Sequence, residues 1–73
     1  MKKIIQEDVT LDLSGEKANI MVITGEQTKI FITYKYKEII EWWPKENKEI
    51  KSIKEAIDII MNGEAILISK FKY

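Results

Sequence analysis

The sequence predicts one small α+β domain spanning residues 1–73. Three observations carry that reading: short stretches of alternating apolar and polar residues separated by glycine turns, one capped amphipathic helix, and a last strand-like stretch at the end of the chain. The predicted order is β-β-β-α-α-β: a three-stranded antiparallel meander, a short helix, an amphipathic helix and a C-terminal strand. The expected architecture is a single sheet or a small rolled barrel.

The first strand is expected over Ile4 to Leu13. Ile5, Val9, Leu11 and Leu13 share one parity, and Gln6, Asp8, Thr10 and Asp12 the other, so one face is apolar and one polar. Ser14-Gly15-Glu16-Lys17 reads as a turn. The second strand runs from Asn19 to Thr24, and Gly25-Glu26-Gln27 is the next turn. The third, Thr28 to Tyr36, is rich in β-branched and aromatic residues. Loops this short imply antiparallel neighbours.

Lys37 to Trp43 suits either a short helix or a bent extension of the third strand, and the helix is the preferred reading. Pro44 disfavours a helical conformation at Trp43. The clear helix runs from about Ile53 to Asn62. Ser52-Ile53-Lys54-Glu55 matches a capping box, Ile53, Ile57, Ile60 and Met61 form an apolar stripe, and Asn62-Gly63 supplies a left-handed stop. Ala65 to Phe71 is the last strand.

This pattern leaves one sheet face over. A single helix covers a single face, yet Met21 and Ile23 oppose Ile20 and Val22, and Phe31 opposes Ile30, Ile32 and Tyr34. Ile66 and Ile68 likewise oppose Leu67 and Phe71. A second apolar face needs a cover: the Trp42–Trp43 segment, closure of the sheet into a barrel, or another chain.

Composition removes most chemistry. The chain has no His and no Cys, so imidazole bases, thiol nucleophiles, disulfides and the usual zinc sites are excluded. The remaining catalytic candidates are carboxylate pairs such as Asp8/Asp12 and Glu38/Glu41. They are expected on solvated faces, where carboxylates keep ordinary pKa values. Gly15, Gly25 and Gly63 are isolated, so no phosphate loop exists. No catalytic, cofactor or metal residues are therefore assigned, and the protein is expected not to be an enzyme.

Lys+Arg and Asp+Glu both number 12, giving zero net charge, and every basic residue is Lys. Both facts weigh against a strong grip on nucleic acid. The start of the chain lacks a secretory apolar run and no stretch suits a membrane span, so a cytoplasmic location is expected. The mixed charges from Lys45 to Lys54 read as a solvated loop and helix entrance.

The expected function is a small protein-binding module, a regulator or inhibitor of another macromolecule and plausibly a homodimer. The candidate partner-binding residues are Trp42, Trp43 and Phe31. Adjacent Trp residues cannot both sit squarely in one small core, and Trp is enriched at binding hot spots. The alternative is a single-stranded nucleic-acid binder that uses Tyr34, Lys35, Tyr36, Lys70, Phe71 and Lys72, where Lys and aromatic residues interleave.

Overall fold

The computed structural model describes residues 2–11, 15–34 and 38–72. The elements are β1 (Lys3–Thr10), β2 (Lys17–Thr24), β3 (Lys29–Tyr34), β4 (Glu38–Pro44), α1 (Ile53–Met61) and β5 (Ala65–Lys72). The five strands form one antiparallel sheet in sequence order, β1-β2-β3-β4-β5. The fold is α+β, an open meander sheet with one helix inserted before the last strand. Each strand from β1 to β5 pairs with the next, and β1 and β5 remain as edges, so the rolled barrel is not formed.

The first helix expected from the sequence is a strand. Glu38–Pro44 continues the meander by pairing with β3, with Ile30 opposite Trp42 and Tyr34 opposite Glu38. Six or seven residues form too few helical turns to offset the cost of nucleation, and the segment holds two Ile and two Trp. The exposed edge of β3 offers it a complete ladder of hydrogen bonds instead. Lys37, the first residue of the helical reading, lies outside the described residues, as do Asp12, Leu13 and Ser14 of the first strand and turn.

α1 starts and stops where the sequence places it. The Ser52 Oγ accepts from the Glu55 amide at 3.1 Å. The reciprocal half differs from a standard capping box: Glu55 Oε1 accepts from the Lys51 amide at 3.0 Å, one residue before the cap. At the other end Gly63 has φ +74°, a conformation that costs glycine nothing. Its amide donates to the Ile60 carbonyl at 3.1 Å and that of Glu64 to Ile59 at 2.9 Å, a Schellman closure.

The buried stripe of α1 is rotated from the predicted one. Ile53, Ala56 and Ile59 are buried and Ile57 and Ile60 half-buried, while Met61 is 69% exposed. Ala56 has no accessible surface because its small side chain lets the helix approach the sheet closely. The core is this stripe with Ile50, packed on Ala18, Ile20, Val22, Ile30 and Ile32. Burying each large aliphatic side chain contributes about 1.5–3 kcal/mol.

The segment between β4 and α1 is pinned to the β2–β3 turn. Asn47 accepts from the Thr28 amide at 2.9 Å and donates to the Glu26 carbonyl at 2.8 Å. The buried Thr28 hydroxyl donates to the Lys48 carbonyl at 2.6 Å. A stretch that reads as a solvated charged loop thus carries the clamp that returns the chain over the sheet. Among the described residues no helix is long and apolar enough to cross a membrane.

Candidate functional site

Strand alternation sends every second residue to the face opposite α1. The ladders align those residues in three rows. In the first, Ile4 pairs with Ile23 and Ile23 with Lys29, while Trp43 pairs with Ile66; the Lys29 ammonium sits 5.7 Å from the Trp43 ring centroid and joins the halves. The middle row is Gln6, Met21, Phe31, Glu41 and Ser69. The last is Asp8, Asn19, Thr33, Ile39 and Phe71. No described element covers this face.

The face is divided. Its β1 side is polar beyond Ile4 and Ile23 of the first row: Gln6 donates to Asn19 at 2.7 Å and Asn19 to Asp8 at 2.8 Å. Its other side holds an apolar concavity of about 270 Å³ lined by Met21, Phe31, Thr33, Ile39, Glu41, Ser69 and Phe71. Phe71 at the rim is 63% exposed and Ile66 nearby is 51% exposed. Glu41 is the one charged residue of the lining. Its Oε2 accepts from the Trp43 indole N–H at 2.7 Å and its Oε1 from the Ser69 hydroxyl at 3.2 Å. Two donors from two strands therefore fix the carboxylate beside apolar walls.

A register shift between Glu41 and Trp42 decides which β5 residues join this face. Strict alternation places Phe71 with Leu67 and against Ile66. In the structure Phe71 pairs with Ile39, and Ile66 with Trp43, so both share the open face. Leu67 opposes Trp42 on the helix side yet stays 51% exposed, because α1 packs mainly on β1, β2 and β4. A bulge inverts facing parity along a strand, and nothing in the residue pattern of β5 marks its position.

The predicted partner-binding residues separate. Trp43 and Phe31 lie on the open face. Trp42 lies on the helix face, half-buried against the core, and its indole N–H is buried with no acceptor among the described residues. Being part of the sheet, the Trp42–Trp43 segment cannot fold over the open face as a lid. Glu41, Ser69 and Met21 belong to the concavity as well. In the sequence Glu41 stands out only as half of a carboxylate pair with Glu38, and Met21 only as a member of one apolar set of the second strand. A helical reading of Lys37 to Trp43 hides the place of Glu41 on the sheet, and the bulge hides Ser69.

The residues of the nucleic-acid alternative do not converge. Tyr34 is half-buried on the helix face, and burial, then the charges of Glu16 and Glu38, pushes its phenol above the usual value. Lys70 pairs with Glu38 at 3.4 Å on that face, opposite Phe71. Lys72 stands across from Glu38 in the ladder, and Lys35 and Tyr36 lie outside the described residues. Glu38 and Glu41 point to opposite faces and form no pair; Asp12 of the Asp8/Asp12 candidate lies outside the described residues. Among those residues no cluster of acidic side chains could hold a metal ion. Comparison with protein-family models, curated proteins and solved structures finds no match.

Proposed function

We propose that the domain is a non-enzymatic protein-binding module that acts through its open sheet face, as a regulator or inhibitor occluding a surface of its partner. The observation that carries this reading is the half-apolar face itself: Met21, Phe31, Ile39, Trp43, Ile66 and Phe71 are gathered over three strands and their neighbour β5, and no described element lies across them. Sheets with one solvated face normally alternate to polar residues there, as β1 does here with Gln6, Asp8 and Thr10 after Ile4.

The footprint argues for a reversible contact. Five strands spaced about 4.8 Å apart, with three rows of side chains, span on the order of 400–500 Å². That is below the roughly 800 Å² per partner of a standard stable interface and suits a transient one. The nucleic-acid alternative has weaker support, because Phe71 and its neighbours Lys70 and Lys72 face opposite ways.

The test compares the wild-type chain with Phe71→Ser and Ile66→Ser, both exposed and so tolerable to the fold. Proteins captured by the immobilised domain are quantified for each, and light scattering after size exclusion measures self-association. The reading expects a partner, or a dimer, that the wild type holds and both variants lose. Capture insensitive to both substitutions overturns it. So does tight binding of a labelled single-stranded oligonucleotide that weakens steeply with salt.

A further inference from the structure

We propose that the concavity at Glu41 receives a basic side chain, Lys or Arg, presented by a protein partner between apolar residues. The inference rests on the protein-binding reading of the open face and names the chemistry of what that face takes.

Three features converge on a cation. The walls are Met21, Phe31, Ile39 and Phe71, apolar apart from Thr33, Ser69 and Glu41. Phenyl faces attract a cation placed over them, and aliphatic and thioether groups pack against the methylene stem of Lys or Arg. The only charge among them is the Glu41 carboxylate, held in place by Trp43 and Ser69. It is half-buried, and the ion pairs among the described residues, Lys3–Glu49, Lys54–Asp58 and Lys70–Glu38, do not include it. Lys29 sits over the Trp43 indole, 5.7 Å from the ring centroid, and forms no ion pair with Glu41 among those of the described residues. Each carboxylate oxygen accepts one hydrogen bond from the protein, so each keeps capacity for a further donor. Glu41 itself lines the apolar concavity.

The size suits a single side chain. A volume of about 270 Å³ sits at the lower edge of the roughly 300–1,000 Å³ typical of small-molecule sites. The concavity is open to the rest of the sheet face, so residues flanking the basic one can lie across Ile66, Trp43 and Phe71. Preorganisation also favours the cation: the hydrogen bonds that orient Glu41 are already made in the free protein, so little is lost in ordering it.

The test uses two capped tripeptides, one with lysine between two leucines and one with neutral norleucine in place of the lysine. Each is titrated into isotopically labelled protein at low salt while the two indole N–H resonances are followed. The Trp43 N–H bonds to Glu41 directly, and the Trp42 N–H on the opposite face serves as an internal reference. The expected result is a saturable shift at Trp43 with little at Trp42, and a dissociation constant about fivefold lower for the lysine peptide, in keeping with one partly exposed ion pair. Glu41→Gln keeps an acceptor for the indole and should erase the preference, while Phe71→Ser should weaken both peptides alike. Equal affinity for the two peptides, or a lysine preference that survives Glu41→Gln, overturns the cation assignment and leaves the apolar binding face standing. If neither peptide moves any open-face resonance, this assignment falls, and the binding role of the face falls with it.

Discussion

Replacing Trp42 by Phe should leave the domain as stable as before or make it more stable, against the usual rule for a core aromatic. The indole nitrogen of Trp42 is buried without an acceptor among the described residues. A buried donor without a partner costs about 1–3 kcal/mol, and Phe removes it. Against this stands the smaller ring. Trimming indole to phenyl gives up roughly 40 Å² of apolar contact, about 1 kcal/mol at 25 cal/mol per Å², and less here because the residue is only half-buried. The expected change runs from about zero to about 2 kcal/mol of stabilisation. Trp42→Ala loses the ring as well and should cost about 2–3 kcal/mol, at or below the low end for a buried aromatic. Set against a total of roughly 4–11 kcal/mol for a domain of this length, these differences are large. Urea denaturation followed by circular dichroism measures them, with a slope near 1 kcal/mol per molar for a protein this small. A loss above 2 kcal/mol for Trp42→Phe would refute the reasoning, since it would mean that the indole N–H makes a hydrogen bond of real worth.

Three further outcomes follow from the structure. Ser52→Ala removes the acceptor for the Glu55 amide and should lower stability by about 0.5–2 kcal/mol, visible as a lower denaturation midpoint; an unchanged midpoint would place the helix start elsewhere. Thr28→Val keeps the shape but deletes the hydroxyl bonded to the Lys48 carbonyl, so it should cost about 1–3 kcal/mol and lower the melting temperature by several degrees per kcal/mol. Tyr34 has a folded-state pKa raised above the ordinary phenol value by burial. Its contribution to stability is complete below pH 10 or so and is lost as pH rises through the folded value. Tyr34→Phe should therefore lessen the fall in stability measured by denaturant titration at alkaline pH, and curves of equal steepness for the two proteins would count against it.

Local chemistry was legible in the residues themselves. Alternation in β1 and the β-branched and aromatic content of β2 and β3 identified strands. Parity separated Ile20 and Val22 from Met21 and Ile23, and Ile30 and Ile32 from Phe31. Which of the two β2 sets is core was open in the sequence, and the structure buries Ile20 and Val22. Ser52 and Asn62-Gly63 bounded α1, because caps satisfy backbone groups within a few residues of themselves. The absence of His and Cys limited the chemistry before any fold was known.

What the sequence could not decide depended on partners distant along the chain. Glu38–Pro44 is compatible with helix or strand by its own residues, and the free edge of β3 settles it as a strand. The stripe of α1 turned toward Ala56 because closeness to the sheet, and not apolar periodicity alone, selects the buried line. The Asn47–Thr28 clamp joins two polar segments that mark nothing in the sequence. The bulge opposite Glu41 and Trp42 placed Phe71 and Ile66 on one face and brought Ser69 to Glu41. A one-residue slip in register exchanges the faces of every residue beyond it, and register is set by the pairing of two strands, a property that neither strand carries alone.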